Sequence, residues 1–465
     1  MIKSDFSGKM PSDPGRVHFV GIGGAGMSGI ARLFARGGFE VTGSDSRESA
    51  NTVSLRDEGI PVSIGHQAAH VAEATTVVVT GAIAEDNPEY CAARASGTAI
   101  VHRAQALAWL IESSRVVAVA GAHGKTTSTG MLVSALVELG EDPSFVNGGV
   151  IRGLDASSAR GSSDIFVVEA DESDGSFLLY NAAIALITNV DPDHLDHYGS
   201  AENFVQAFVS FAAHASELVA ISSDDEGAVR VTAGLDRERV VTFGWAADAD
   251  VRIHSVSLAE TVSFALAYLG ENYEVHLAVT GRHNAINAAG AFAVLTGLGF
   301  EARASARALG AFRGAERRFE FRGESHGVRV FDDFAHHPTE IAAALEGARA
   351  AAGTGRVIPI FQPHLFSRTA TMTELFAHTL ERLADHTIIV PIYPARETPI
   401  PGVTGQLIAD HFARTGTGVY VHTWEEAIAY AVALVRPGDV LVPMGGGDIH
   451  LIVPDLLRAL DERDR

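Results

Sequence analysis

Val116-Val117-Ala118-Val119-Ala120-Gly121-Ala122-His123-Gly124-Lys125-Thr126-Thr127 decides how this chain reads. Five small apolar residues in a row predict a strand buried on both faces, and such strands belong to parallel sheets covered by helices. Gly121 and Gly124 mark a turn, and Ser128 to Leu139 carries a helical pattern. Strand, glycine turn and helix together form the context in which backbone amides wrap phosphate oxygens. Lys125 is then placed to neutralise β/γ-phosphate charge and Thr126 to ligate Mg2+. The motif is not a full Walker A, because Val119 stands where its first glycine belongs. A glycine turn with an ordinary surface lysine is the competing explanation.

Composition sharpens that reading. The chain has 32 arginines and three lysines, of which Lys3 and Lys9 precede the first strand and Lys125 is the last. A drift from Lys to Arg explains the scarcity and makes the exception informative. A compact ammonium fits between phosphate oxygens where a planar guanidinium is too wide. The net charge of −22 argues against nucleic acid or an anionic membrane as partner. Polyphosphate binding in so acidic a protein needs local cations, helix N-termini and a divalent metal.

Length and rhythm extend the pattern. At 465 residues several domains are expected, and 47% apolar residues suffice for ordinary cores. Short apolar runs alternate with helical stretches, which predicts an α/β fold of parallel sheets. New strand–helix units divide the chain into 16–114, 115–320 and 321–465, behind a disordered stretch over 1–15. Around 251–280 the apolar residues alternate as in antiparallel strands, before a helix opening near Arg282. No apolar run approaches the ~18 residues of a membrane span, and Met1 to Gly15 lacks a secretory-type stretch. The single cysteine, Cys91, excludes an intrachain disulfide and an all-cysteine metal site. The expected compartment is a reducing cytoplasm.

A second glycine loop follows the strand Val17 to Val20. Gly21, Gly23 and Gly26 match G-x-G-x-x-G, with Gly24 and Ala25 between them, and Asp45 ends the next strand. Such a loop brings amides to a diphosphate, and the acid suits a ribose hydroxyl. An NAD-dependent oxidoreductase is the conventional inference. Another diphosphate ligand, or glycines serving packing alone, also fits.

Metal ligands are expected at neighbouring strand ends. Glu169, Asp171, Glu172 and Asp174 follow an apolar run. A solvated acidic turn is the ordinary explanation, but Glu169 abuts the strand directly, where a carboxylate is costly without a cation. The next strand end adds His194, as a ligand or as a loop hydrogen-bonding group. Mg2+ prefers oxygen donors, so a histidine would be somewhat unusual.

These stretches together resemble the Mur ligase family, and within it the alanine-adding branch. The matching blocks are GIGGAGMSGIA at 21–31, GAHGKTT at 121–127, EADESDGSF at 169–177 and TNVDPDHLDHY at 188–198. GRHNAINAAGA at 281–291, RRFE at 317–320, DDFAHHPTE at 332–340 and FQPHLFSRT at 361–369 follow in family order. The resemblance implies three domains. A Rossmann-like N-terminal domain binds a UDP-sugar, a central P-loop ATPase domain has a mostly parallel sheet, and a Rossmann-like C-terminal domain carries the amino acid. It implies a ligase that uses ATP and Mg2+ to join L-alanine to the lactyl carboxylate of UDP-N-acetylmuramate through an acyl phosphate. Neither nucleic acid nor membrane is an expected partner, and a monomer or a homodimer fits.

Carried over residue by residue, Gly121, Ala122, His123, Gly124, Lys125, Thr126 and Thr127 cradle ATP. Thr126, Glu169 and His194 hold metal. His283 and Asn284 meet the adenosine, and Arg318 and Asp333 reach the ATP. Gly23, Gly24, Ala25, Gly26 and Asp45 take the sugar nucleotide. His336, His337, His364 and Arg368 surround the amino acid, with Arg368 binding its carboxylate and Arg396 in reserve. His194 is also a candidate proton acceptor, so Lys125, His194 and Arg368 form the catalytic set. Phe334 stands where the family often has Tyr, Leu365 where it often has Arg or Thr, and Thr80-Gly81 where a hydroxyl pair is usual. With Lys125 the last lysine, the carbamylated lysine of other Mur ligases is ruled out. Three alternatives stay open: a ligase that recycles murein tripeptide onto the same sugar nucleotide, the oxidoreductase, and a nucleotide-switch protein that hydrolyses ATP without ligating anything.

Overall fold

The first sheet is five parallel strands in the order Val62–Ile64, Glu40–Asp45, Arg16–Val20, Thr76–Val79, Ala99–His102. The order reverses beside Arg16–Val20, and at that strand's carboxyl end the chain turns through Gly21 to Gly24 into the helix Ala25–Arg36. A ligand crevice belongs at such a switch point. The helix sits on the sheet because Ile30, Ala31, Leu33 and Phe34 are buried along one face. Phe34 packs edge-on to Phe19 and stacks on Trp109.

The computed structural model describes residues 6, 8–258, 261–395 and 397–463, and the side chains of Ala25 and Asp196 lie outside that description. Of the stretch 1–15, expected to be disordered, the described part makes contacts. The Gln105 amide donates to the carbonyl of Phe6, the Phe6 ring packs edge-on to His102, and Thr76 Oγ1 donates to the carbonyl of Pro14.

Behind the first sheet's glycine loop lies a buried acid. Glu89 is fully buried and accepts hydrogen bonds from Ser44 Oγ at 2.5 Å, His70 Nδ1 at 2.6 Å and His66 Nδ1 at 3.1 Å. Burial opposes its charge, but His18, Ser44 and His70 outweigh burial and hold the carboxyl down at about 2. A folded pKa below the ordinary 4.5 adds stability above pH 4.5 that is lost as pH falls towards 2. Glu89→Gln should therefore cost about 1–3 kcal/mol at pH 7. The difference should shrink between pH 4.5 and 2, as urea unfolding at several pH values would show.

The central sheet has ten strands in the order Glu271–Leu277, Val262–Tyr268, Val251–Leu258, Val240–Gly244, Leu218–Ser222, Ile184–Ile187, Arg115–Ala120, Ile165–Glu169, Ser144–Ile151, Ala156–Ala159. Its core is parallel, with Val117 to Val119 wholly buried between Ile184–Ile187 and Ile165–Glu169. The 251–280 region extends this same sheet: Val251 pairs in parallel with Phe243 before the strands Val262–Tyr268 and Glu271–Leu277 follow. The phosphate-loop helix begins at Lys125, three residues before the predicted start. Gly124 is the reason. With φ of 83° it is the cap itself, so the chain passes from the turn straight into the helix and Thr126 and Thr127 occupy the first turn.

The third sheet runs Glu320–Ser325, Val328–Asp332, Val440–Met444, Val357–Phe361, Thr387–Ile389, Gly418–Tyr420, parallel except for the opening hairpin. By packing, the chain forms two compact units. One comprises 1–256, 264–276 and 286–313; the other comprises 257–263, 277–285 and 314–465. The first unit holds the first sheet and most of the central sheet, and the second holds the third sheet. Among the described residues, no helix is long and apolar enough to cross a membrane.

Candidate active site

In the first unit the phosphate loop is braced by the next strand end. The His123 amide donates to Asn189 Oδ1 at 2.9 Å, while Thr188 Oγ1 at 2.6 Å and Asn189 Nδ2 at 2.9 Å donate to the His123 carbonyl. Gly121 has φ of 140°, and a Cβ there would lie 2.0 Å from Thr188 Oγ1, so only glycine allows this brace. His123 Nε2 lies 3.3 Å from Asp191.

Lys125 bends back over its own loop. Its ammonium donates to the Gly121 carbonyl at 2.6 Å and the Ala122 carbonyl at 3.3 Å, and pairs with both oxygens of Glu172 at 2.9 and 2.8 Å. Burial works against its charge, but Glu172 and Glu169 outweigh burial and raise its pKa above the ordinary lysine value. Glu172 is 2% exposed. Burial pushes its carboxyl up to about 7, against the pull of Lys125.

Glu169, at the end of Ile165–Glu169, turns one oxygen to Thr126 Oγ1 at 3.0 Å and the other to the Gly148 amide at 2.6 Å. Thr126 and Glu169 are thus brought together, as expected. Asp171 pairs with Arg103 at 2.8 Å; burial opposes its charge, but Arg103 and Ser173 outweigh burial and hold its carboxyl well below the usual range. His194 caps the short helix Leu195–Tyr198 with φ of 52°. Its amide donates to Asp193 Oδ1 at 2.8 Å and its ring lies 3.7 Å from the Asp193 carboxylate.

The glycine loop at 21–26 also closes on its expected acid. Asp45 Oδ2 accepts from the Gly23 amide at 2.9 Å, and Arg103 packs where a side chain at Gly26 would stand, 3.3 Å from that Cβ position. Gly24 caps the helix that Ala25 opens. Arg103 therefore touches both the glycine loop and the acidic run.

The remaining candidates gather in the second unit. His283, at the start of Arg282–Gly297, is held neutral by burial and the charge of Arg318, with its pKa at about 4. The Asn284 amide donates to the Thr280 carbonyl at 2.6 Å. Asp333 accepts from the amides of Phe319 and Ala335, both at 2.7 Å, and burial pushes its carboxyl up to about 6 despite Arg318. Phe334 lies under two guanidinium groups, those of Arg317 at 4.8 Å and Arg318 at 5.3 Å. From it a row of rings continues: His336 at 5.2 Å, His364 a further 5.2 Å on, then Tyr393 stacked at 5.8 Å. His337 caps the helix Pro338–Ala352. Arg368 is buried in the first turn of Phe366–Leu383, which opens from Leu365 at φ 69° and ψ 137°. Arg396 lies outside the described residues.

Comparison with known proteins decides the family. The model of the Mur ligase family catalytic domain matches residues 16–115, the Mur ligase middle domain 119–295, and the Mur ligase glutamate ligase domain 317–447. The chain belongs to the Mur ligase family. A UDP-N-acetylmuramate–L-alanine ligase of Clavibacter sepedonicus is 57% identical, covering 99% of this chain and 97% of its own. Among solved structures, the UDP-N-acetylmuramate–alanine ligase of Thermotoga maritima superposes with a TM-score of 0.82 at 29% identity, covering 96% of this chain and 99% of its own. A murein peptide ligase of Psychrobacter arcticus reaches 0.71 at 26% identity, covering 96% and 98%. Three Mur ligase domains on an α/β framework agree with the predicted fold class. The oxidoreductase alternative falls, since the glycine loop at 21–26 opens the first domain of a Mur ligase.

Several residues of this Mur ligase escaped the sequence reading. Arg103 carries no local motif, and Arg317 stands in the RRFE block without a role assigned to it. Tyr393 lies past the end of the strand Thr387–Ile389, in an isolated bridge with His364 that nothing in the surrounding sequence predicts. Glu172 was visible as an acid, but an acidic turn gives no sign of which carboxylate is buried.

Proposed function

We propose that this enzyme is an ATP-dependent ligase joining L-alanine to the lactyl carboxylate of UDP-N-acetylmuramate. The observation that carries the reading is the end-to-end match, at 57% identity, to a relative of that name. The murein tripeptide alternative has a weaker footing, because the murein peptide ligase superposes less closely.

The chemistry follows from what the residues can do. The lactyl carboxylate attacks the γ-phosphorus of ATP, giving an acyl phosphate and ADP. The alanine amine, once deprotonated, attacks the acyl carbon and phosphate leaves. No covalent nucleophile on the protein is required. The phosphate loop positions two anions that repel each other, and Lys125 offers charge to the phosphoryl oxygens. His194 is the proposed proton acceptor. Arg368 is the proposed partner of the alanine carboxylate. The Thr126 hydroxyl and Glu169 carboxylate, 3.0 Å apart, are hard oxygen donors of the kind Mg2+ takes. Bound there, Mg2+ would neutralise charge on the phosphoryl oxygens.

Phosphate release with UDP-N-acetylmuramate and either L-alanine or the L-alanyl-γ-D-glutamyl-meso-diaminopimelate tripeptide tests the reading. Release should require the sugar nucleotide and L-alanine. Release supported by the tripeptide instead would select the recycling ligase, and release without any amino acid would leave only an ATPase.

Glu169→Gln should keep the fold, because an amide oxygen still accepts from Thr126. Its Mg2+ requirement should rise at least about tenfold as an anionic ligand becomes neutral. A Mg2+ titration of phosphate release, with a thermal melt as control, checks this; an unchanged titration would move the metal to another acid.

A further inference from the structure

The glycine loop at 21–26 can offer amides to a diphosphate but no charge, because Gly21 to Ala31 contains neither lysine nor arginine. Arginines elsewhere in this part of the chain are engaged by acids: Arg16 with Glu40 and Glu73, Arg32 and Arg36 with Glu58, Arg56 with Glu48. Arg103 is different. A guanidinium carries five N–H donors. That of Arg103 uses Nη2 on Asp171 Oδ2 at 2.8 Å and has no other hydrogen-bond or ion-pair partner among the described residues. Its Nη1 lies 3.3 Å from where a Cβ on Gly26 would stand, and 23% of the side chain is exposed. We infer that Arg103 binds the diphosphate of the sugar nucleotide, with Asp171 holding its guanidinium against the glycine loop. The inference rests on reading that loop as the UDP-N-acetylmuramate site.

Both ends of the Arg103–Asp171 pair are fixed. Arg103 is the first residue of the helix Arg103–Ile111, and a capping box between His102 and Gln105 sets where that helix begins. Asp171 is tied into its own loop: Oδ1 accepts from the Ser173 amide at 3.0 Å, and its carbonyl accepts from Ser176 Oγ at 3.2 Å and from the Phe177 amide at 3.1 Å. One carboxylate oxygen therefore holds one end of the guanidinium, while the donors left over lie on the loop side. A planar fork held this way loses little freedom when it takes two phosphate oxygens, and such charge-assisted pairs are strong. A protein of net charge −22 needs a local cation of this kind to keep a diphosphate. The contact does not draw on the Mg2+ proposed at Thr126 and Glu169, so it can be measured without metal or ATP.

Calorimetric titration with UDP-N-acetylmuramate and with UDP, both in EDTA, reads this directly. Arg103→Ala should weaken both ligands by roughly ten- to a hundredfold, the range of a charge-assisted contact. Arg103→Lys keeps the charge and can still pair with Asp171, but it lacks the fork. It should lose about three- to tenfold, and it carries the test if the alanine variant does not fold. The affinity of either variant for Mg-ATP should stay within about threefold of wild type, which a general loosening of the fold would not allow. Equal losses for UDP and Mg-ATP with a lower melting temperature would make Arg103 a structural brace and overturn the inference. A loss for UDP-N-acetylmuramate but not for UDP would also overturn it, by moving the contact to the lactyl carboxylate. So would wild-type binding that needs Mg2+, because the metal would then meet the diphosphate. Unchanged affinities in Arg103→Ala overturn it as well, with the exposed Arg47 next to replace. In each of these cases the sugar-nucleotide site stands. Failure of the wild-type protein to bind UDP-N-acetylmuramate with or without Mg2+ would instead sink the functional reading.

Discussion

Lys125→Arg should all but abolish ligation although the charge is kept. The ammonium sits in the first turn of its helix, 2.6 Å from the Gly121 carbonyl and 2.8 Å from Glu172. A guanidinium is wider, planar and demands in-plane partners, and it cannot occupy a hollow shaped by a single bent-back chain end. The loop has little freedom to widen, because Gly121 closes on Thr188 and Gly124 packs against Asn287. Arginine would therefore either push the loop off its brace or project past the phosphates. We expect kcat/KM to fall by about a hundred- to a thousandfold, roughly 3–4 kcal/mol of transition-state stabilisation. Thermal stability should change much less, since Arg can still pair with Glu172 in the resting protein. Phosphate release under saturating sugar nucleotide and L-alanine measures the loss. A variant keeping more than about a tenth of wild-type activity would mean that Lys125 does not meet the β- and γ-phosphates.

What could be read before the structure depended on whether a residue's role was local. The phosphate loop was legible because strand, glycines and lysine act within one short stretch, and Glu169 because an acid directly after an apolar strand is conspicuous. Asp45 was legible for a similar reason: its distance from the glycine loop is set by one strand–helix–strand unit. The helix start was misplaced because the helical pattern was read only from Ser128, while the left-handed Gly124 caps a helix that begins at Lys125. The burial of Glu172, the pairing of Arg103 and the place of Arg317 over Phe334 escaped because burial and pairing across distant segments leave no periodic trace. Asp171 and Glu172 are adjacent carboxylates with opposite fates: Arg103 holds one ionised, and burial holds the other near 7. Nothing in the run Glu169 to Asp174 distinguishes them.

Arg368→Ala should raise the KM for L-alanine by roughly ten- to a thousandfold, on the order of 1.5–4 kcal/mol for a charge-assisted contact. The incoming carboxylate must find a cation in a protein of net charge −22. In the segment 361–369 only Arg368 is a fixed cation, since Leu365 is apolar and His364 stacks on Tyr393. His336 nearby is held below the ordinary histidine range by burial, so it does not supply the charge at pH 7. Arg368 is buried at the start of its helix, and its guanidinium fork is the proposed match for the planar carboxylate. Leu365 holds a backbone conformation that costs a non-glycine residue about 1–3 kcal/mol, and such strain is retained where a loop must be held in one geometry. The KM for ATP should move little, because Lys125 and Glu169 belong to the other compact unit. Leu365→Arg in the Arg368→Ala background should restore part of the alanine affinity if the two positions serve the same carboxylate. Initial rates against L-alanine at saturating ATP give all of these values. An unchanged KM for alanine in Arg368→Ala would place the carboxylate elsewhere, with Arg396 or the His336–His337 pair as the next residues to replace.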